Sequence, residues 1–376
     1  MTLILVVILS VYAVTIAQLV YGFGKIKTNH SPAAAPKTFF AIVVPFRNES
    51  ANLPILLESI KNLNYPLELF EIILVDDFSE DDSVRQFYNW RMENGKFQTT
   101  LLENIKLSDS PKKDAIARAV PIVKNDWIVT TDADCTFPHD WLLTLDRYIQ
   151  DHDVSMVVGA VSYDCKKYSF LHHFQQLDLA SLQGAAIGSF GMGLGFMCNG
   201  ANFCYKKSLF EELNGFIGNN KMASGDDVFL VQKAVAKYPE KVHYLKSKMN
   251  IVHTRPLDSW KALFHQRVRW ASKTGAYRSV FGKDLAVIVF AQNLSLLIGL
   301  AFAAVGWMPW LNLGILFAIK FAFDFVLLYK TNRFLTHKRM RFLISASLLY
   351  PFFSVSVAVY SLFGKYEWKG RKFGSQ

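Results

Sequence analysis

The chain has 376 residues, 51% of them hydrophobic and 14% aromatic, with a formal net charge of +10. That length holds one sizeable catalytic domain with a remainder, and the apolar excess assigns the remainder to membrane. The positive charge gathers at the flanks of apolar segments, which points to anionic lipid headgroups and argues against nucleic acid, while Cys135, Cys165, Cys198 and Cys204 show no CxxC pair or zinc-ligand spacing and read as reduced structural thiols.

Residues 3–24 contain no charged side chain, enough apolar helix at about 1.5 Å per residue to cross roughly 30 Å of hydrocarbon. A cleaved leader requires positive residues ahead of its apolar core, whereas Lys25 and Lys27 follow it. Residues 1–24 are therefore read as a retained anchor. The flanking lysines place the N-terminus outside and the 25–284 segment in the cytoplasm.

From Phe39 short apolar runs alternate with helical patterns: strand 39–44, helix 51–62, strand 71–75, helix 81–92, strand 98–102, helix 112–123 and strand 127–131. This order predicts successive strand–helix–strand units, hence an α/β domain over 37–250 with a mostly parallel sheet covered by helices on both faces. Ligands of such sheets bind beyond the carboxyl ends of the strands. Three polar clusters fall there: Pro45-Phe46-Arg47-Asn48-Glu49, Asp76-Asp77, and Asp132-Ala133-Asp134. The last offers two carboxylates at one strand end, the donor set a hard cation such as Mg²⁺ or Mn²⁺ takes together with substrate phosphates, which points to a nucleotide-linked donor.

Beyond residue 150 the pattern predicts a further strand at 154–161 and helical spacing at 168–183. Residues 184–201 are rich in glycine (Gly184, Gly188, Gly191, Gly193, Gly195, Gly200); this is a poor helix without strong tertiary help, and is expected to be flexible or closely packed near the acceptor or the membrane. It does not lead from a strand into a helix, so it is not a dinucleotide fingerprint. Residues 251–284, with Gln266-Arg267-Val268-Arg269-Trp270, are expected as interfacial helices. Apolar segments at 285–306, 309–329 and 342–363 are three more membrane candidates within 285–363. Lys330, Arg333, Lys338, Arg339 and Arg341 make the 330–341 joint cytoplasmic. The last segment is basic on its far flank as well (Lys365, Lys369, Arg371, Lys372) and carries Pro351, so it is expected to be a bent, re-entrant or in-plane pair of half-helices, followed by a basic cytoplasmic tail over 364–376.

Taken together, VPFRNES, ILVDD, the DAD triplet, GDDVFL and QRVRW resemble the membrane-bound inverting glycosyltransferases of family 2, the group of cellulose and hyaluronan synthases and ceramide glucosyltransferase, over roughly 39–276. Each motif alone is weak; their order and spacing together are specific. The resemblance implies a GT-A fold, a UDP- or GDP-sugar donor, a divalent metal and inversion at the anomeric carbon. It implies a nucleotide-binding edge at Pro45, Arg47, Glu49, Asp76 and Asp77, with Lys112 approaching the diphosphate. Asp132 would hold the sugar or ribose, Asp134 the metal, and Gln266, Arg269 and Trp270 would close over the diphosphate beside the acceptor entrance. Asp227 matches the base position with Asp226 its neighbour. Asp226 stands where many members have Glu, which leaves open which of the two acids is the base.

The chemistry also follows without the family. Negative charge collects on a leaving diphosphate, so a metal with Arg269, Arg267 or Lys112 would stabilise it. Attack from the opposite face needs a carboxylate to take the acceptor proton, and adjacent Asp226 and Asp227 raise one another's proton affinity. The competing readings are plain ones. Acids at a helix start favour the dipole, Glu80-Asp81-Asp82 reads as a solvated helix start, and His139, His172, His173, His253 and His265 lack metal spacing. Arg267, Arg269 and Lys273 could snorkel to headgroups, with Trp260 and Trp270 in an interfacial belt. The small membrane part favours one sugar passed to a lipid or glycan acceptor on the cytoplasmic face, with a processive polysaccharide synthase as the alternative, and the compact size inclines towards the bacterial plasma membrane. A silent adaptor would show no metal-dependent donor hydrolysis, and a nucleotidyltransferase would release pyrophosphate.

Overall fold

The computed structural model describes residues 2–29, 34–219, 222, 224–364, 366–368 and 371–373. In chain order the elements begin α1 (Thr2–Lys25), β1 (Phe40–Phe46), α2 (Leu53–Lys61), β2 (Phe70–Asp76), α3 (Ser83–Glu93), β3 (Thr99–Glu103), α4 (Pro111–Ala119), β4 (Trp127–Thr130) and α5 (Trp141–Asp151). There follow β5 (Met156–Gly159), β6 (Val161–Tyr163), α6 (Phe170–Gly191), β7 (Phe203–Lys206), α7 (Lys207–Glu212), α8 (Asp226–Lys237), β8 (Val242–Leu245) and β9 (Val252–Thr254). Last come α9 (Trp260–Ala271), α10 (Val280–Ala304), α11 (Trp310–Leu335) and α12 (Leu343–Phe363).

These elements form two compact units, one of Lys27–Asp164 with Met197–Arg255, the other of Met1–Ile26, Cys165–Phe196 and Pro256–Gln376. The expectation of one unbroken domain over 37–250 therefore does not describe the division: Cys165–Phe196, including α6, groups with the apolar helices.

The first unit is built on a seven-stranded sheet in the order β3-β2-β1-β4-β7-β5-β8. β3, β2, β1 and β4 run parallel, and β7 is antiparallel to both β4 and β5. Successive residues Phe40 to Val44 of β1 are all fully buried, as both faces of a helix-covered parallel sheet require. Pro45 is accommodated because residues alternate in the side they bond. The Phe46 carbonyl accepts from Asp77 and the Val43 carbonyl from Thr131, so the Pro45 nitrogen faces the β4 side, where the ladder has ended at the Val43–Thr130 pair. A small parallel pair, β6–β9, with an isolated bridge between Thr136 and His253, lays Thr254 beside the segment after β4.

Among the described residues of the second unit, four helices are long and apolar enough to cross a membrane: α1, α10, α11 and α12. α12 is a single helix through Pro351, which corrects the expected pair of half-helices; one lost backbone bond is tolerated where the helix packs among others. Part of its basic flank, Lys365 and Lys369, lies outside the described residues. The glycine-rich run is also helical as far as Gly191. The tertiary help comes from close backbone approach to α1: a Cβ on Gly188 would lie 2.4 Å from the Leu19 carbonyl oxygen, and one on Gly191 1.8 Å from that of Gly22. Close packing, of the two expected states, is the one found.

The apolar segment of α11 hides an ion pair. Lys320 Nζ donates to Asp324 Oδ2 at 2.6 Å, one turn along the helix, and Tyr12 of α1 donates its hydroxyl to Asp324 Oδ1 at 2.5 Å. Lys320 is only 4% exposed, so the carboxylate compensates a charge that has no water. Asp324→Ala is expected to destabilise the detergent-solubilised protein by about 3–5 kcal/mol in thermal melting, and the Lys320→Met/Asp324→Leu double variant by much less.

Candidate active site

Strands β1 and β2 end side by side, with Phe46 opposite Asp76, and β3 ends level with them, Asp76 opposite Glu103. The loops that follow share one rim. Arg47 leaves β1 and grips the second loop, its Nη1 donating to the carbonyls of Asp77 at 2.7 Å and Phe78 at 2.6 Å and its Nη2 to Glu80 at 2.9 Å. Phe78 sits at φ +58°, a left-handed conformation that costs a bulky residue and that these bonds hold in place. Glu49 is buried; its N–H donates to Ser83 Oγ at 2.8 Å, and its carboxylate accepts from Asn52. Buried Asp77 accepts from Asn104 Nδ2 at 2.8 Å, and half-buried Asp76 from the Ser79 N–H at 3.1 Å. Pro45, Arg47, Glu49, Asp76 and Asp77 are thus brought to one rim, where Arg47, Glu49 and Asp77 shape the loops.

The 80–82 run is a helix start, as expected, with a further task. Asp81 accepts from the Ser50 N–H at 2.9 Å and from both the N–H and the hydroxyl of Ser83, tying the first loop to α3. Burial pushes its carboxyl up, but the bonds from Ser83 and Ser50 outweigh this and bring it down to about 2.

The acids that the sequence separates by almost a hundred residues meet around one ammonium. Lys112 of α4 donates to Asp132 Oδ1 at 2.6 Å and lies 3.2 Å from Asp226 Oδ2. Burial pulls the Lys112 ammonium down, but the carboxylates of Asp132, Asp226 and Asp227 together outweigh it and hold the charge firmly. Asp226 and Asp227 open α8 because Gly225 turns the chain at φ +86°, a left-handed conformation suited to glycine. Asp226 is buried against Lys112, whereas half-buried Asp227 accepts from the Gly200 N–H at 2.9 Å and from the Val228 N–H at 2.7 Å. The plain reading holds too, since the acids do sit in the first turn of a helix.

After β4, Ala133 and Cys135 are buried while Asp132 and Asp134 are half-buried, so both carboxylates emerge towards the accessible side. Asp134 Oδ2 accepts from the Thr254 hydroxyl at 3.1 Å. The pair suits a divalent cation. All their donors are hard oxygens, a monovalent ammonium already rests against Asp132, and no third His, Cys, Asp or Glu joins them among the described residues, which leaves coordination to be completed by phosphate and water. Cys135 is no nucleophile, for burial and then Asp134 and Asp132 push its thiol well up.

The QRVRW segment lies on α9 in the second unit. Arg267 does not snorkel: at 5% exposure its Nε donates to Asp178 Oδ2 of α6 at 2.5 Å. Its charge is neutralised there, so it is withdrawn from the set expected to face a diphosphate, which leaves Arg269 with the signature residues Gln266 and Trp270. Trp260 packs against Phe174 and Phe353 in a ring cluster.

Sequence reading missed Asn104, Thr254, Lys113, Asp178 and Gly200. Lys113, beside Lys112 but turned into the core, donates to the carbonyls of Asn219 at 2.7 Å and Met222 at 2.9 Å and so ties α4 to both. The Lys-Lys pair was the available signal; a single Asn or Thr after a strand gives none. Gly200 leaves room for the cluster, since a Cβ there would stand 3.0 Å from both Lys112 Nζ and Asp226 Oδ2. Gly200→Ala is expected to force that ion pair apart by a few tenths of an ångström and to lower stability by about 1–3 kcal/mol, read as a fall of a few degrees in melting temperature.

Residues 41–214 match the model of glycosyl transferase family 2. The chain is 24% identical over 246 residues to the beta-monoglucosyldiacylglycerol synthase of Trichormus variabilis, covering 64% of this chain and 49% of that protein. It is 26% identical over 240 residues to the probable glycosyltransferase YdaM of Bacillus subtilis, covering 61% and 54% respectively. It thus spans about half the length of the curated relatives it matches. In three dimensions it is similar to a mannosyltransferase from Pyrobaculum calidifontis, with a TM-score of 0.60, 17% identity and coverage of 94% of this chain and 99% of that one, which shows a shared fold. Residues 41–214 are thus a glycosyl transferase family 2 domain, in a chain whose described residues include four helices apolar enough to cross a membrane.

Proposed function

We propose that this chain transfers a single sugar, with inversion, from a UDP- or GDP-sugar to a lipid or lipid-linked acceptor at the cytoplasmic face of a membrane. The observation that carries the reading is the convergence of Lys112, Asp132, Asp226 and Asp227 beside the Asp132–Asp134 strand end. Lys25 and Lys27 at the end of α1, and Lys330, Arg333, Lys338, Arg339 and Arg341 around the end of α11, support the cytoplasmic face. The relative from Trichormus variabilis is named for a glucosylated diacylglycerol, which makes diacylglycerol the first acceptor to try. The mannosyltransferase of similar fold was solved with GDP-Man and Mn²⁺, a donor and cation of the proposed classes.

In this reading Asp134, with Asp132 beside it, would hold Mg²⁺ or Mn²⁺, which when bound neutralises charge on the diphosphate as it leaves. Lys112 turns its ammonium to the same oxygens. From the signature on α9, the resemblance to family 2 would give Arg269 the role of a second cation and Gln266 and Trp270 that of the acceptor entrance. The rim of Pro45, Arg47, Glu49, Asp76 and Asp77 receives the base and ribose.

Asp227 takes the acceptor proton. It is the more accessible of the two acids, and its carboxylate is oriented by two backbone N–H groups. Asp226, buried against Lys112, keeps that lysine aimed.

The test uses the full chain in detergent with UDP-glucose or GDP-mannose, diacylglycerol micelles and Mn²⁺. Asp134→Asn is expected to abolish metal-dependent donor binding measured by thermal shift. Asp227→Asn should bind donor normally and lose about 10²–10⁴-fold in transfer; near-normal transfer would move the base to Asp226. Long labelled chains among the products would replace single transfer with polymer synthesis.

A further inference from the structure

Helix α6 reads α9 and its approach along one stripe. His172, Gln175 and Asp178 are spaced by three residues, so they share a helix face. His172 Nε2 meets Asp258 at 2.9 Å. The Gln175 amide clamps the Leu257 backbone both ways, donating to its carbonyl at 2.8 Å and accepting from its N–H at 2.9 Å. Asp178 then receives Arg267 Nε at 2.5 Å, with the two side chains 7% and 5% exposed.

Arg267 occupies one of the unspecified places of QxxRW, yet it touches both signature neighbours. Its Nη1 donates to Gln266 Oε1, and its guanidinium lies over the Trp270 ring, 4.1 Å from the centroid. One planar group, held at Nε, therefore sets an amide on one side and an indole on the other. A lysine could answer the carboxylate but could not present a fork and a flat face at once. A guanidinium this buried needs a counter-charge to stay where it is.

We propose that Asp178 is a positioning residue for the QxxRW motif, acting through Arg267 to fix the orientation of Gln266 and Trp270. The catalytic consequence rests on the role proposed above for that motif in acceptor-dependent transfer; the orientation itself does not.

The experiment separates the two. The Trp270 contribution to tryptophan emission is isolated by subtracting the spectrum of each protein's Trp270→Phe derivative, and its quenching by acrylamide is measured in the full chain in detergent. Asp178→Asn and Arg267→Lys are each expected to alter the quenching of Trp270 while leaving thermal stabilisation by UDP or GDP with Mn²⁺ as in the parent. Each should lower acceptor-dependent turnover by about 10- to 100-fold, and the double variant should be no worse than Arg267→Lys alone. Unchanged Trp270 quenching in both single variants would overturn the inference, and Arg267→Lys alone decides if Asp178→Asn does not fold. Altered quenching with turnover intact in Trp270→Ala would leave the positioning standing and remove the motif from the proposed reaction.

Discussion

The ion cluster around Lys112 is the constraint on which the sheet unit depends. Asp132 follows a central strand, Lys112 comes from the helix before that strand, and Asp226 begins a helix far along the chain, so the cluster fixes the relative places of three elements at one point. The carboxylates of Asp132, Asp226 and Asp227 all act on the Lys112 ammonium there. Such a gathering of carboxylates is suited to a further cation. Loop shape follows from the same economy of polar groups. Arg47, Glu49, Asp77 and Asp81 spend their hydrogen bonds on the rim, so the backbone there is set before any ligand arrives.

The helical unit uses buried charge in a different manner. Lys320 with Asp324 and Tyr12, and Arg267 with Asp178, are closed sets in which each charge has its opposite within hydrogen-bond reach. Such pairs add little net stability compared with well-packed apolar side chains, but they penalise every alternative arrangement in which one partner is left alone. Their value is in specifying which helix lies against which.

Much of the sheet could be read in advance, because alternating apolar runs and polar strand ends obey local rules. β1 to β4 fall within two residues of their expected bounds, and the acidic pairs stand at the rim where parallel sheets bind ligands. What the sequence hid was non-local. Whether Arg267 reaches lipid headgroups or a buried carboxylate depends on Asp178, some ninety residues earlier and carrying no motif. The charged pair in α11 was masked by the apolar residues averaged around it. The segment after 184 was illegible for a related reason: low helix propensity describes an isolated chain, and here the missing side chains are what another backbone requires.

That last contact changes what α1 is for. At Leu19 and Gly22 it meets α6 main chain to main chain, with no rotamers to freeze and no side chain that could yield. An apolar segment borrowed from another protein would hold this chain in a bilayer equally well, yet its bulkier flank would stand off from α6 by the width of a side chain. The N-terminal helix is thus a fitted part of the scaffold that carries Asp178, and tethering is the lesser of its duties.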